Sequence, residues 1–184
     1  MVVILLANGF EESEAIVPAD MLRRAGVETV LAGVDGLQVT SSHNITVLAD
    51  VTLDQVDPAN VELAVVPGGL PGVNRLKAHA GVSAFLRKTA EGSAQLAAIC
   101  AGPTVLAQLG LLEGVNAVCY PGMEKELTGA QARPGTQVVV DGRFTTCESA
   151  GSAFEFGLKL VERLKGREAA EAVAKAACFH GALS

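Results

Sequence analysis

Short apolar runs, each closed by a turn and followed by a helical segment, constrain the fold of this chain more than any other feature. Four such runs occur, at Val2–Ala7, Val27–Ala32, Leu63–Val66 and Gln95–Ile99. Largely apolar runs of this length are typical of strands buried on both faces of a parallel sheet. The first two flank a helical segment that begins near Glu11 and ends at Gly26. Because such a strand–helix–strand unit favours parallel pairing, we expect an α/β fold with a mostly parallel central sheet.

The remaining elements are shorter or weaker in pattern. Apolar and polar residues alternate weakly over Leu37–Thr40 and Ile45–Leu48, which predicts a short antiparallel pair of strands. A polar connection follows at Asp50–Asp57. An Asp-Gly pair between β-branched residues predicts a hairpin that joins Val138–Val140 to Phe144–Cys147. Hydrophobic periodicity predicts a further strand at Val115–Tyr120 and helices at Val82–Glu91, Thr104–Leu109, Met123–Thr128, from Ser152 to Leu164, and at Glu168–Ala177.

Composition limits the classes of partner. The chain has 184 residues, of which 49% are hydrophobic and 4% aromatic, and it has no tryptophan. This length suits one domain over residues 1–184. Twenty acidic against 14 basic residues give a formal charge of −6, and stacking side chains are scarce, so nucleic acid is a poor partner. No apolar run is long enough for a membrane span, and residues 1–7 predict a core strand and not a signal peptide.

Four cysteines occur, at Cys100, Cys119, Cys147 and Cys178. They form no CxxC pair and no Cys/His ligand spacing, so we expect neither a metal nor another cofactor. Their number is too small to indicate a disulfide framework in a chain of this length, and a reducing, cytoplasmic location is consistent with that.

Cys100 stands where a buried strand turns directly into a helix. The strand Gln95–Ile99 precedes it, and the turn-permitting Ala101-Gly102-Pro103 follows. This is the pattern of a nucleophile elbow, which lifts one side chain above the sheet and directs backbone N–H groups at it. The positive end of the helix predicts a thiol pKa below the usual value of about 8.5. A buried structural cysteine is the alternative, and this context makes it the weaker one.

A glycine-rich turn, Pro67-Gly68-Gly69-Leu70-Pro71-Gly72, follows the strand Leu63–Val66. Glycines at the carboxyl end of a strand allow backbone to approach a ligand closely, and open α/β sheets bind ligands at that edge. A tight turn without a ligand is equally compatible with this motif alone. The turn matches neither a P-loop nor a dinucleotide fingerprint, so no nucleotide is expected.

Taken together, the motifs resemble the ThiJ/PfpI superfamily, in particular its DJ-one branch. The segments that carry the resemblance cover nearly the whole chain and are Asn8-Gly9-Phe10-Glu11-Glu12-Ser13-Glu14, Val65-Val66-Pro67-Gly68-Gly69, Ala98-Ile99-Cys100-Ala101-Gly102-Pro103 and Phe154-Glu155-Phe156. The resemblance implies a flavodoxin-like three-layer sandwich and a homodimer. It makes Cys100 the reactive residue and Glu14 the side chain that hydrogen-bonds its sulfur.

An ionised Glu14 would raise the thiol pKa by charge repulsion, whereas a protonated Glu14 would donate a hydrogen bond to the thiolate. We therefore predict that burial keeps Glu14 neutral at working pH, although an exposed first-turn carboxylate is the alternative from sequence alone. The resemblance also implies an oxyanion site formed by the N–H groups of Gly69 and Ala101, next to Gly68.

Two further residues, and two departures from the family's sequence pattern, concern the pocket. By resemblance, Arg24 and His43 would bring anion-binding groups near the pocket across a dimer interface, although a solvated helix residue and a loop histidine are equally compatible. Tyr120 stands before Pro121, where the family often has a histidine, so a Cys–His pair is not supported. Ser149-Ala150-Gly151-Ser152 replaces the branch's usual Gly-Pro-Gly-Thr.

The function that follows is cysteine-dependent chemistry on a small reactive carbonyl. The resemblance implies a glyoxalase or deglycase, a hydrolase or lyase type of enzyme that converts methylglyoxal or its adducts to lactate under oxidative or carbonyl stress. The alternative is a redox sensor or stress chaperone, in which Cys100 is oxidised to a sulfinate without turnover. Relatives have also been labelled thiazole monophosphate biosynthesis (ThiJ-type) proteins or proteases, and the missing histidine disfavours the protease.

Overall fold

The computed structural model describes residues 1–181. Its strands are β1 (Val2–Leu6), β2 (Thr29–Gly33), β3 (Gln38–Thr40), β4 (Thr46–Leu48), β5 (Val51–Thr52), β6 (Leu63–Val66), β7 (Gln95–Ile99), β8 (Asn116–Ala117), β9 (Gln131–Ala132), β10 (Val138–Asp141) and β11 (Phe144–Cys147). Its helices are α1 (Glu12–Arg24), α2 (Leu70–Ala78), α3 (Ala80–Glu91), α4 (Pro103–Gln108), α5 (Ala153–Lys165) and α6 (Arg167–Ala176).

A seven-stranded sheet in the order β10-β11-β7-β6-β1-β2-β5 forms the centre of the fold. All neighbouring pairs are parallel except β10 with β11, which form the predicted hairpin. Side chains alternate between two apolar layers: Val2, Ile4 and Leu6 face α1, α5 and α6, whereas Val3 and Leu5 face α2, α3 and α4. The predicted α/β fold with a mostly parallel sheet between two helical layers is therefore confirmed.

Several element predictions are corrected. Val115–Tyr120 is not one strand, because only Asn116–Ala117 pairs, in parallel with β9 and outside the main sheet. Met123–Thr128 contains only a 3-10 turn at Glu124–Glu126. The polar connection after Asp50 includes β5, which extends the main sheet beside β2. The glycine-rich turn is shorter than expected, since α2 already begins at Leu70 with a proline in its first turn.

The parallel strands β6, β7 and β1 carry the candidate site at their carboxyl ends. Their residues are almost entirely inaccessible to solvent, which fixes the ends of the strands in relation to one another. Within the described part of the chain, no helix combines the length and hydropathy that a membrane span requires. That residues 1–184 form a single domain stays a prediction, and residues 182–184 lie outside the described residues.

Candidate active site

Cys100 directly follows β7 and adopts a φ of 62°, in the left-handed region that non-glycine residues rarely occupy. Both of its backbone groups are held: its N–H donates to the Cys147 carbonyl at 2.9 Å, and its carbonyl accepts from the Tyr120 N–H at 2.8 Å. The chain then continues through Ala101 into α4, which begins at Pro103. Strained backbone of this kind is common at functional sites, where the surrounding structure maintains it.

Two glycines after β6 form the opposite wall of the site. A Cβ on Gly68 would lie 2.7 Å from the Cys100 Cβ and would also collide with Oε2 of Glu14. Gly69 has a φ of 87° and is packed against the backbone of the β1–α1 turn. The N–H groups of Gly69 and Ala101 both point toward the Cys100 sulfur and lower its pKa. The predicted pair of backbone donors is thus in position to stabilise negative charge there.

Glu14 lies on the first turn of α1 and is 1% exposed. The Gly68 N–H donates to its Oε2 at 2.9 Å, which holds the carboxyl at the site, whereas the hydrogen bond from Glu14 to the Cys100 sulfur stays a prediction. Its Oε1 is buried and has no hydrogen-bond partner among the described residues. The Cys100 thiol and the Ala150 N–H nevertheless face the carboxyl closely enough to shift its pKa. Oε1 is therefore the oxygen available for proton transfer.

Burial, with a smaller contribution from the charge of Glu11, raises the pKa of Glu14 from 4.5 to about 7, although the Cys100 thiol and the Gly68 N–H act in the opposite direction. The pKa of the Cys100 thiol is raised as well. Burial, together with the charge and hydrogen bond of Glu14, raises the pKa of Cys100 to about 12. The prediction of a lowered thiol pKa is wrong, because burial and a neighbouring carboxylate outweigh the two backbone donors.

The two groups titrate as a coupled pair, which retains one proton between about 7 and about 12. That proton can lie on sulfur, with Glu14 ionised, or on Oε1, with Cys100 as thiolate. The second arrangement is the one in which a protonated Glu14 donates a hydrogen bond to the thiolate. Reactivity at neutral pH thus depends on a proton moving within the pair and not on its loss to solvent.

A cavity of about 340 Å³ opens onto Cys100. Its lining residues follow β1, β6, β7 and β11 or belong to the Tyr120–Met123 turn, and they are Glu11, Glu14, Gly69, Leu70, Cys100, Ala101, Tyr120, Met123, Ser149 and Ala150. A larger cleft of about 900 Å³ lies between α3 and the β2 and β5 side of the sheet. No cysteine lines that cleft, so the smaller cavity is the candidate for covalent chemistry.

The other predicted pocket residues divide into two groups. Tyr120 lines the cavity and is 49% exposed, whereas Pro121 shapes the turn that follows it. Arg24 pairs with Asp20 at 2.8 Å, and His43 pairs with Glu12 at 2.9 Å; neither lines the cavity of its own chain. Their placement across a dimer interface stays a prediction.

The sequence places the Ser149–Ser152 segment at the pocket, and its residues Ser149 and Ala150 line the cavity. Glu11, Leu70 and Met123 were not identified from sequence as cavity residues. Leu70 and Met123 belong to separate loops, and no local pattern indicates that the two share a wall. All four cysteines are free, and Cys119 and Cys147 are buried in the core.

Among residues 1–181, one group has donors that lie close enough together to hold a metal ion. Its members are Glu11, Glu12 and His43, whose nearest ligand atoms lie within 4.8 Å of one another. His43 approaches the carboxylates through Nδ1 alone, at 2.9 Å from Glu12 and 3.6 Å from Glu11. The carboxylates raise the pKa of His43, so an ion pair accounts for the cluster.

A family model described as DJ-1/PfpI family matches residues 1–163 of this chain. The chain belongs to the DJ-1/PfpI family. It is 40% identical over 174 residues to Protein dj-1beta of Drosophila melanogaster, with 94% of this chain and 93% of that protein covered. The crystal structure of Drosophila melanogaster DJ-1beta matches at a TM-score of 0.93 and 38% identity over 98% of each chain. The flavodoxin-like fold implied by the sequence resemblance is thus confirmed.

Two further DJ-1/PfpI proteins have names or descriptions that bear on chemistry. A Caenorhabditis elegans protein named Glutathione-independent glyoxalase DJR-1.2 is 31% identical over 177 residues, with 96% of this chain and 95% of that protein covered. The structure of Toxoplasma gondii DJ-1, described as oxidized, matches at a TM-score of 0.92 and 35% identity over 98% of each chain. The name of the first relative states a glyoxalase activity, and the description of the second states an oxidized form.

Proposed function

We propose that this protein is a cysteine-dependent enzyme that converts small reactive carbonyls such as methylglyoxal, or their adducts with amines and thiols, to lactate. The observation that carries the proposal is the convergence of three features on one cavity: the Cys100 sulfur, the unpartnered Oε1 of Glu14, and the N–H groups of Gly69 and Ala101. The glyoxalase name of the C. elegans relative supports the same reaction class.

The first step forms a bond between the Cys100 sulfur and the aldehyde carbon. The electrons of the C=O bond move to oxygen, where the N–H groups of Gly69 and Ala101 stabilise the charge. The proton held by the Cys100–Glu14 pair then passes to that oxygen and gives a neutral hemithioacetal. Glu14 is left as a carboxylate, which is the form needed for the next step.

In the second step, the Glu14 carboxylate takes the hydrogen from the former aldehyde carbon and returns it to the neighbouring ketone carbon. The hydroxyl proton passes between the two oxygens through an enediol, so the product is a lactoyl thioester on Cys100. Water then hydrolyses the thioester, releases lactate and restores the thiol. One carbon is oxidised as its neighbour is reduced, so the reaction requires no external oxidant or cofactor.

Lactate formation from methylglyoxal by freshly reduced, metal-free protein tests the proposal. We expect Cys100→Ser to reduce the rate at least about 10³-fold, because it removes the nucleophile from a fully assembled site. Cys178→Ser, which changes an exposed cysteine, is the matched control and should retain the wild-type rate. Equal rates in wild type and Cys100→Ser would show that the carbonyl chemistry is not that of this site.

A redox sensor or stress chaperone is the second candidate, and the same site supports it. A protonated Glu14 and the two backbone donors would stabilise a sulfinate as they stabilise a thiolate. A relative, Toxoplasma gondii DJ-1, has a structure described as oxidized, which supports oxidation as a reaction of this family. Two equivalents of hydrogen peroxide, reduced to water, would supply the two oxygens.

Mass spectrometry after mild peroxide treatment tests this second candidate. We expect Cys100 to gain two oxygens before Cys119, Cys147 or Cys178 is modified, because only Cys100 combines access to a cavity with stabilising donors. In Glu14→Leu, the sulfinate should no longer be the main product, and the sulfenate or the sulfonate of Cys100 should accumulate instead. Earlier modification of the exposed Cys178 would contradict the sensor role.

We also propose a homodimer. Exposed apolar side chains occur on α1, at Ile16, and on the neighbouring β3–β4 hairpin, at Leu37, Ile45 and Leu48. A group of this kind is typical of an interaction surface. His43, on the same hairpin, would then lie near the interface as the family resemblance implies. Sedimentation at micromolar concentration tests the dimer, and a monomer there would contradict it.

A further inference from the structure

The larger cleft, of about 900 Å³, has no lining residue in common with the Cys100 cavity. The turns after β2 and β5 form one of its walls, and α3 forms the other. Most of its lining side chains are apolar, namely Val34, Leu53, Val56, Pro58, Ala84 and Phe85. Leu53, Val56 and Phe85 are buried in the core on the α3 side of the sheet, so they form a fixed floor. A cleft of this size with an apolar floor can enclose the body of a small organic ligand.

Local hydrogen bonds hold both walls of the cleft. On one wall, Thr52 and the 3-10 turn that follows it, Leu53–Gln55, share a capping box. On the other wall, Nδ1 of His79 accepts from the Val82 N–H at 3.2 Å and caps α3. The apolar surface proposed for the dimer is elsewhere, because α1 packs on the opposite face of the sheet. The shape of the cleft therefore depends neither on a ligand nor on that interface.

Two carboxylates at this cleft have no strong cationic partner. Asp35 lies in the turn after β2, and Asp54 lies in the turn after β5. The Asp54 carboxylate accepts a hydrogen bond from the Thr52 hydroxyl. The Asp35 carboxylate has Nε2 of His79 at 3.9 Å, which is too long for a hydrogen bond. In the part of the chain that the structure describes, neither aspartate forms an ion pair with a lysine or arginine.

Lys88 is the one lysine or arginine among residues 1–181 that lines this cleft, and its charge is already compensated. Its Nζ lies 2.9 Å from Oε2 of Glu91, which stands one turn further along α3 and outside the cleft. The two aspartates therefore leave the cleft with an excess of negative charge, and the formal charge of −6 on the whole chain acts in the same direction. A cationic ligand would be attracted to this cleft, and an anionic one would be repelled.

We propose that this cleft binds a small organic cation, in which a primary ammonium group is joined by a short linker to an aromatic or similarly apolar body. The body contacts the floor of Leu53, Val56 and Phe85. The ammonium group lies at the rim, where Asp35 and Asp54 attract it. An exposed ion pair alone contributes little to affinity, so the apolar floor is needed as well as the charge. The site is separate from the reactive cysteine, so this proposal does not depend on the carbonyl chemistry.

Three ligands that share a naphthalene ring with a two-carbon substituent test the proposal. Naphthylethylamine is a cation, naphthylethanol is neutral and naphthylacetate is an anion. Titration of isotope-labelled protein, followed by the NMR shifts of its backbone amides, gives both affinity and location. At low ionic strength, we expect a dissociation constant of about 1 mM or lower for the amine, at least about fivefold below that of the alcohol and about 20-fold below that of the acetate. The shifted amides should lie on α3 and in residues 52–58.

Variants assign the selectivity to its residues. Asp54→Asn and Asp35→Asn should each weaken binding of the amine about threefold and leave binding of the alcohol unchanged. Ala84→Arg introduces a cation at an exposed α3 position that lines the cleft, and should reduce the preference for amine over acetate at least about tenfold. Glu171→Gln is the matched control, because it removes one negative charge from α6 on the opposite face of the sheet, and it should leave all three affinities unchanged.

Equal affinities of the wild type for the amine and the alcohol would overturn the proposal, as would amide shifts that cluster outside the cleft. So would an equal loss of amine binding in Glu171→Gln and Asp54→Asn, because net charge alone would then explain the selectivity. Lactate formation serves as an independent readout. Its absence in the wild type would contradict the proposed function and leave the amine site intact.

Discussion

Replacing Glu14 by glutamine is expected to make the protein less active but more stable at pH 8. In the folded protein, burial raises the pKa of Glu14 to about 7 from an ordinary value of 4.5. The folded state thus binds this proton more tightly than the unfolded state does, and the free energy of unfolding falls as pH rises from 4.5 through 7. A shift of this size corresponds to roughly 3 kcal/mol.

The other described groups with shifted pKa values do not explain a fall of this size in the free energy of unfolding between pH 4.5 and pH 7. Glu12, Glu124, Asp141 and Glu162 have lowered pKa values, so their stabilising contributions are lost only below about pH 4.5. Burial raises the pKa values of Cys100, Cys119 and Cys147 from 9.0 to about 12, 11 and 12, so these thiols act only above about pH 9. Lys88 and Arg167, whose pKa values are raised from 10.5 and 12.5, act only at still higher pH. His43 contributes in the same direction as Glu14, but its side chain is fully exposed and screened by solvent.

Denaturant unfolding at intervals between pH 5 and pH 8 measures the effect. The free energy of unfolding of the wild type should fall by roughly 3 kcal/mol over this range. That of Glu14→Gln should change little, because glutamine retains the acceptor for the Gly68 N–H without a charge. Lactate formation should fall about 10²- to 10⁴-fold in the same variant, since it has no proton to transfer. Glu162→Gln is the control, because it removes a carboxyl whose pKa is lowered. An unchanged pH dependence in Glu14→Gln would show that another group causes the fall.

The elements that local pattern defines were predicted well from sequence. β6 and β7 begin and end at the predicted residues, since each is a short run buried on both faces that a turn with glycine and proline follows closely. The errors occur where tertiary contacts decide. β5 is only two residues long and pairs with the edge of β2, which no local pattern indicates. β8 ends at Ala117, because the next N–H, that of Val118, donates to the Thr146 hydroxyl and not to a neighbouring strand backbone.

The candidate site was predictable in its membership but not in its electrostatics. Motifs and resemblance indicated Cys100, Glu14, Gly69 and Ala101, and the structure brings all four together. The direction of the Cys100 pKa shift was not predictable, because it depends on burial and on the distance to Glu14, neither of which the strand-to-helix pattern contains. Leu70 and Met123 were missed as cavity residues for a similar reason, since they are 53 positions apart in the chain and line the same cavity only in the fold.

Gly69→Ala is expected to destabilise the protein by roughly 3 kcal/mol or more and to abolish activity. Gly69 has a φ of 87°, where a side chain adds about 1 kcal/mol of strain. A Cβ there would also lie 2.5 Å from the Glu11 nitrogen, 2.7 Å from the Phe10 carbonyl carbon and against the Gly9 carbonyl. These are backbone atoms of the β1–α1 turn and cannot rotate away, so α1 and Glu14 would have to move.

Gly110→Ala separates the two contributions. Gly110 has a φ of 73°, but no atom lies within 4 Å of the position that its Cβ would occupy. This control should therefore lower the free energy of unfolding by only about 1 kcal/mol and leave lactate formation unchanged. Thermal or denaturant unfolding of both variants measures the difference, which isolates the cost of displacing the β1–α1 turn. If both variants lose the same stability, backbone conformation alone explains Gly69, and the close approach of the two loops does not hold the site together.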